Sequence, residues 1–241
     1  MPATQRVSVF ALAALMLAPL FALPGVAQAQ EGTRRVDIFT FGGLSIPTRD
    51  LGVITVGDAV SQVQYTHKLR TAPTLGGGIM VPLPNGRSTV RLAVTYTPVQ
   101  VRNIPSLCDG SYDCSAFNEG EEEARILSFS AGMTVQRKEG KDTPVRPYFL
   151  FGAALRSYRF TDTQCSAEAL TCEAIGTFLS NQFRPSLQVG VGAHLGTGKV
   201  KLMVELQALF GTFQSSGPRS RGESQNDLLA TVGLSVPVFS R

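Results

Sequence analysis

Two histidines and a few carboxylates in predicted strands are the residues from which a catalytic site could be built. An acyl-ester hydrolase needs a nucleophile, a base and a group that orients the base, all within hydrogen-bonding reach. His194 and Glu205 flank the turn Gly196-Thr197-Gly198 and point to the same side of their strands. The turn is expected to place His194 near residue 200, about five residues from Glu205 and too far for direct contact. We therefore interpret His194 as an interior polar residue and His67 as a solvated rim residue.

Two further segments contain residue types that bind ions in other proteins. Gly76-Gly77-Gly78 has no following Lys-Ser/Thr and no helical pattern, so a phosphate-binding P-loop is not predicted. The segment 104–123 is acidic but lacks EF-hand spacing, and we interpret it as a solvated loop. The alternative is a divalent cation that bridges it to lipopolysaccharide phosphates. Its carboxylates are Asp109, Asp113, Glu119, Glu121, Glu122 and Glu123.

Four cysteines form two close pairs along the chain, Cys108 with Cys114 and Cys165 with Cys172. In an exported protein such cysteines are expected to form disulfides, and four cysteines allow three connectivities. Two local bridges are the simplest of the three. A metal site is the alternative, but the pairs lack CxxC spacing and have no histidine nearby. No cofactor is predicted.

Residues 1–29 are predicted to be a secretory signal peptide. Arg6 supplies the positive region, Val7–Leu23 is almost wholly apolar, and Ala27-Gln28-Ala29 matches the small-x-small cleavage pattern. Cleavage after Ala29 leaves Gln30 as the new N-terminus, and an uncleaved anchor helix is the alternative. Residues 30–241 then form one domain of ordinary size.

Alternating polarity along this domain is typical of β-strands. The alternation is clearest in Arg125–Gln136 and Lys199–Thr212. In Thr89–Asn103 it slips near Pro98, which predicts a bulge or the end of the membrane-spanning stretch. The eight predicted strands are approximately Arg35–Pro47, Lys68–Pro82, Thr89–Asn103, Arg125–Gln136, Val145–Phe160, Ser186–Leu195, Lys199–Thr212 and Leu228–Val238.

The connections between the predicted strands alternate between long and short. Asn-Gly and Gly-x-Gly in the short ones permit positive φ. An even number of strands with short turns at one end and long loops at the other is typical of transmembrane barrels. We therefore predict an all-β fold, an eight-stranded antiparallel up-and-down transmembrane β-barrel. The long connections are about 48–67, 104–121, 161–181 and 214–226, and the short ones are Pro84-Asn85-Gly86, Glu139–Thr143 and Gly196-Thr197-Gly198.

The composition of the polar strand face distinguishes a membrane barrel from a soluble, lipocalin-like one. A face in water should be rich in charged residues, whereas this one consists mainly of small and neutral residues that suit a narrow barrel interior. Its few charges are expected to pair inside: Arg91, Arg146, Arg156, Lys201 and Glu205. The apolar face would meet lipid, with an aromatic girdle drawn from Tyr96, Phe149, Phe151, Phe160 and Phe210.

Beyond the predicted signal peptide, the chain resembles the small outer-membrane barrels of the OmpA/OmpX type over essentially its whole length. Pro147–Ala154 resembles a strand that is common in that family. The chain departs from the family in having no Trp and in continuing past Phe239 with Ser240 and Arg241. Residues near the end resemble the family's C-terminal assembly signal: Thr231, Gly233, Val236, Val238 and Phe239.

The resemblance implies a bacterial outer-membrane location, contact with outer-membrane lipid and lipopolysaccharide, and recognition by the outer-membrane assembly machinery during biogenesis. We expect a non-enzymatic barrel whose extracellular loops have a structural or surface-interaction role with an unknown ligand. The alternatives are a narrow passive pore, a soluble secreted lipid-binding barrel and, least favoured, a lipid-modifying enzyme. The net charge of +4, without a dense Lys/Arg cluster, does not indicate nucleic-acid binding.

Overall fold

The computed structural model describes residues 35–57, 62–108, 120–136, 143–161, 181–196, 199–213, 220–222 and 224–240. The predicted signal peptide and its cleavage site, Ala29 and Gln30, lie outside these residues. Within the described ranges, no helix is long and apolar enough to cross a membrane. The strands are β1 (Arg35–Pro47), β2 (Gly52–Gly57), β3 (Gln62–Leu69), β4 (Ala72–Pro82), β5 (Ser88–Cys108), β6 (Gly120–Gln136), β7 (Val145–Phe160), β8 (Gln182–Leu195), β9 (Lys201–Thr212), β10 (Ser220–Gly222) and β11 (Ser224–Ser240).

Eight of these strands close into an antiparallel barrel. The ring runs β1, β4, β5, β6, β7, β8, β9 and β11, and β11 pairs again with β1. Each predicted strand corresponds to one member of the ring, and each member pairs with its sequence neighbours in the ring. The predicted eight-stranded up-and-down barrel is therefore confirmed.

The remaining three strands extend one side of the barrel beyond its long-loop end. β2 and most of β3 form a hairpin within the predicted connection 48–67, and β3 also includes Lys68 and Leu69 from the predicted strand Lys68–Pro82. β10 pairs with β2 from inside the predicted connection 214–226. β3 and β4 run in the same direction along β5, separated by a break at Arg70 and Thr71. The prediction of loops in both connections was wrong, because these short strands depend on pairing with distant partners.

The short turns have the backbone geometry that their residues predict. Gly86 has φ of +66° and Gly196 has φ of +105°. The side-chain oxygen of Asn85 accepts hydrogen bonds from the backbone N–H groups of Arg87 (3.0 Å) and Ser88 (2.9 Å). These bonds hold β4 and β5 in register. Most of the third predicted turn, Glu139–Thr143, lies outside the described residues.

β5 passes Pro98 without a bulge. Its register against β6 is continuous on both sides of Pro98, which pairs with Arg125. Odd-numbered side chains of β5 point inward before and after Pro98, and both Arg91 and Val101 are buried. The bulge was therefore a wrong interpretation of the slip in alternation. The slip marks a change in which face is apolar, while the strand itself stays regular.

Candidate functional site

The outer surface of the barrel carries an apolar belt to which all eight ring strands contribute. Phe149 and Leu187 have 68% and 65% of their side chains exposed, an unusual value for large apolar residues. The faces predicted for the clearest strands are confirmed. One exposed residue from each ring strand in turn is Ile38, Ile79, Leu92, Phe129, Phe151, Val189, Leu206 and Leu234.

Inside the barrel, at the height of this belt, lies a polar network around Glu205. One carboxylate oxygen of Glu205 accepts hydrogen bonds from the Arg91 guanidinium and from the Tyr148 hydroxyl. The other accepts a 2.6 Å bond from the side-chain amide of Gln207, whose oxygen accepts a 2.6 Å bond from Gln188. Arg91 and Glu205 are both buried. The predicted pairing of interior charges is confirmed for these two residues.

A second buried ion pair lies nearer the long-loop end. Arg156 donates to one carboxylate oxygen of Asp227, and the Gln225 amide donates to the other at 2.7 Å. The Arg156 guanidinium also lies 5.1 Å from the centre of the Tyr158 ring. Sequence reasoning did not include Asp227 or Gln225, because the last strand begins four residues earlier than predicted. The alternation of Gln225 and Asp227 with outward side chains could have indicated the longer strand.

His194 is an interior residue, but its register differs from the prediction. His194 lies opposite Met203, where residue 200 was expected, because the connection after β8 is longer than the Gly-Thr-Gly turn. Its ring centre is 4.8 Å from that of Tyr148, and its Nδ1 is 3.2 Å from the side-chain nitrogen of Gln136. Tyr148 therefore contacts both His194 and Glu205. This arrangement extends the polar network, and the other ring nitrogen of His194, Nε2, has no hydrogen-bond partner among the described residues.

His67 is fully buried, so its interpretation as a solvated rim residue was wrong. It lies on β3 between Gly52 of β2 and Asn103 of β5. The backbone N–H of Leu51 donates to its carbonyl oxygen at 2.8 Å. Its side chain shares the buried face of β3 with Tyr65 and Leu69. Because β3 was not predicted, the sequence pattern placed His67 at the rim of a shorter strand.

At the long-loop end the interior becomes apolar, in a set of residues that we call the outer apolar cluster. The Tyr158 and Phe213 rings meet edge to face with centres 5.5 Å apart, and Phe160 packs against Phe213 at 6.1 Å. Phe160 therefore belongs to this cluster, and its assignment to the outer aromatic girdle was wrong. The buried members are Leu51, Tyr65, Leu69, Ala72, Val99, Val101, Ala124, Ile126, Tyr158 and Phe213.

The outer apolar cluster begins near the level of Pro98, above a turn-side interior that holds the buried ion pairs and a smaller apolar cluster around Phe39 and Met203. From Ser88 to Pro98 the chain takes ten steps along β5, which is roughly 33 Å at about 3.3 Å per residue. With a strand tilt of about 40° this is a rise of roughly 25 Å, equal to the usual height of the apolar band of a membrane barrel. Below this level lies the turn-side part of the barrel, and above it the loop-side part, where Gln100, Glu123 and Arg125 are exposed.

The other predicted site residues remain untested in function. Cys108 ends β5, while Cys114, Cys165 and Cys172 lie outside the described residues, so the disulfides stay a prediction. Among the six acidic-loop carboxylates, Glu122 is buried and Glu123 is exposed, and Asp109, Asp113 and Glu119 lie outside the described ranges. No group of metal-binding side chains occurs in the part of the chain that the structure describes. The C-terminal signal residues Thr231, Gly233, Val236, Val238 and Phe239 all lie in β11.

A closed eight-stranded antiparallel barrel with an apolar belt outside and an interior filled by side chains has the architecture of the small outer-membrane barrels. Among solved structures, its fold is similar to that of the outer membrane protein OprG from Pseudomonas aeruginosa. The two are 12% identical with a TM-score of 0.51, over 88% of this chain and 100% of OprG. The likeness establishes the fold and confirms the resemblance to this class of barrel.

Two further barrels match with lower scores. The N-terminal β-barrel domain of OprF from Pseudomonas aeruginosa is 15% identical, with a TM-score of 0.41 over 86% of this chain and 100% of that domain. Neisserial surface protein A (NspA) is 14% identical, with a TM-score of 0.39 over 86% of this chain and 99% of that protein. No protein-family model and no curated protein sequence matches the chain.

Proposed function

We propose that this protein is an integral, non-enzymatic barrel of a bacterial outer membrane that holds its long-loop end outside the cell for a structural or surface-interaction role. The observation that carries the proposal is the apolar belt, which encircles the closed barrel over the height of a bilayer core. A soluble lipid-binding barrel would have the opposite arrangement, with its apolar face inside. Here the interior beneath the belt contains two ion pairs and several amides.

The filled interior supports an anchor over a passive pore. Arg91, Tyr148 and Glu205 occupy the turn-side part, and Tyr158 and Phe213 occupy the loop-side part. Side chains of this size fill an eight-stranded barrel. Ions that crossed the barrel would have to separate buried ion pairs and then pass a set of packed aromatic rings.

Heat modifiability tests the membrane assignment. The protein is extracted from the outer-membrane fraction in detergent and run on a gel with and without boiling, with circular dichroism on the same sample. We expect a β-rich spectrum and a mobility shift on boiling. A protein that stays soluble and folded without detergent would contradict the proposal and favour a secreted lipid-binding barrel.

Conductance in planar bilayers tests the distinction between an anchor and a pore. We expect no discrete channels from the folded protein. Reproducible single-channel steps from the heat-modifiable form, absent from the boiled form, would establish the pore instead.

A further inference from the structure

A groove on the outer surface of the barrel lies at the upper border of the apolar belt. It has a volume of about 500 Å³ and follows the break between β3 and β4, where Arg70 and Thr71 separate the two strands. Its lower wall is apolar and its upper wall is charged. Pro73, Tyr96 and Pro98 line the apolar side of the groove, and Arg70, Glu123 and Arg125 line the charged side.

Next to the groove, two arginines face each other across neighbouring strands. Arg125 of β6 pairs in register with Arg159 of β7, and both side chains are exposed. Like charges directly opposite each other on a sheet are destabilising. Within the described residues, neither arginine is in an ion pair that would offset this repulsion. An external anion between them would offset it.

Arg70 brings a third guanidinium to the same level. Its backbone N–H donates to the carbonyl oxygen of Gln100 at 2.9 Å, and its side chain donates to the Gln100 amide oxygen at 3.3 Å. Arg70, Arg125 and Arg159 thus lie on successive parts of one surface, and Glu123 is the acidic residue of the groove. Three guanidinium groups and one carboxylate leave a local charge of about +2 at neutral pH.

Resting on the proposed membrane function, we propose that Arg70, Arg125 and Arg159 bind the phosphorylated headgroup of an outer-leaflet lipid such as lipid A. Guanidinium groups bind phosphate oxygens through paired, charge-assisted hydrogen bonds. The headgroup then lies just above Tyr96 and Pro98, and the acyl chains run down the belt past Leu75. The charge and the apolar wall together match a ligand that is anionic at one end and apolar at the other.

Lipid A retention by the detergent-extracted barrel tests the site. Bisphosphorylated lipid A is titrated into the micelles, and bound lipid is counted by native mass spectrometry for the wild type and for Arg125→Gln/Arg159→Gln. We expect about tenfold or greater weakening in the double variant, because at least one charge-assisted contact to phosphate is lost. Arg87→Gln is the matched control, since Arg87 is an exposed arginine in the turn at the other end of the barrel.

Ligand controls separate the lipid from its parts. The affinity of the wild type for lipid A without phosphates should be as low as the affinity of the double variant for intact lipid A. Inorganic phosphate at the same concentration should not displace the bound lipid from the wild type. Displacement by inorganic phosphate would overturn the lipid proposal and indicate a free-anion site. An unchanged affinity in the double variant, or an equal loss in Arg87→Gln, would overturn the site itself.

The heat-modifiability gel keeps this test separate from the proposed function. If the double variant still shifts on boiling but retains wild-type lipid affinity, the arginine site fails and the membrane anchor stands. If the wild-type protein shows no detergent-dependent fold at all, the membrane proposal fails first.

Discussion

The turn-side and loop-side parts of the barrel share strands but differ in the polarity of the outer face and in what fills the interior. Below the level of Pro98, the interior holds polar side chains such as Arg91 and Glu205 together with a buried apolar cluster that includes Phe39 and Met203, and large apolar residues are exposed on the outside. Above it, Val101 and Tyr158 point inward, and exposed Gln100 and Arg125 point outward. Whether a side chain points into or out of the barrel is set by its position along the strand. Whether the outward side chain is apolar or polar depends on whether that part of the barrel faces lipid or water. This pattern is expected when one barrel passes from lipid into water.

The two parts also gain stability in different ways. In the turn-side part, buried charges are stabilised only while each has its partner, so removing one partner is costly. In the loop-side part, close packing of apolar rings stabilises the fold as in a soluble protein. Substitutions that affect one kind of interior and leave the other intact can therefore separate them.

The largest effect is expected for Glu205→Leu, which leaves the buried Arg91 guanidinium without its carboxylate. We expect the free energy of unfolding to fall by about 5 kcal/mol, the upper end for a broken buried ion pair, because Tyr148 and Gln207 lose their acceptor too. Urea titration of the barrel folded in lipid vesicles measures the loss. Arg91→Leu/Glu205→Leu should cost clearly less than the single variant, and equal losses would contradict the ion-pair argument.

Phe213→Ala tests the outer apolar cluster. Phe213 is 1% exposed and contacts the rings of Tyr158 and Phe160, so the truncation leaves a cavity. We expect a loss of about 4 kcal/mol in the same titration. Phe210→Ala on the outer belt is the matched control and should cost clearly less, since it opens no cavity inside the barrel. If the two losses were equal, the loop-side interior would not be a packed core.

Val189→Arg tests the outer face of the turn-side part. Val189 lies about midway up the belt on β8, and a charged residue at the centre of the bilayer costs about 3 kcal/mol. Thr212→Arg, at the exposed loop-side end of β9, should cost about 1 kcal/mol or less for the same residue type near the interface. Similar values for the two variants would mean that the belt does not face lipid.

The smallest effect is expected for Gly86→Ala at the turn between β4 and β5. An added Cβ would meet no atom within 4 Å, so the cost comes from the positive φ alone. We expect a loss of about 1 kcal/mol, equal in detergent and in vesicles, because the turn lies below the belt. A loss that depended on the lipid would place the turn inside the apolar region.

The strands and turns were predictable because they depend on neighbouring residues. Alternation assigned the outward faces of β6 and β9, and Asn85-Gly86 located a turn. The same local evidence detected a change at Pro98 but could not tell a bulge from a change of environment, because both disturb the alternation. The hairpin of β2 and β3 was missed because β3 is held by pairing with the loop-side part of β5, which is distant in sequence, and β2 is held by pairing with β3.

The contacts between side chains inside the barrel could not be predicted from the amino-acid sequence. Arg91 and Glu205 were both expected to point inward, yet their contact joins strands that are 114 residues apart. That contact depends on the register of several strand pairs around the ring, and an error in one turn, as at His194, moves every later partner. Asp227 was missed because its strand begins earlier than predicted, His67 because its strand was not predicted, and Phe160 because its side chain lies on the inward face of β7.

The number of ring strands, the outward faces of the strands with the clearest alternation and the two ends of the barrel follow from the order of residues alone, because side-chain alternation and turn geometry are local. The tertiary structure determined which inward residues meet, where the interior changes from polar to apolar, and which surface arginines become neighbours. These properties require the closed ring. Only closure brings strands that are distant in sequence side by side and lets inward side chains from all eight strands pack against one another.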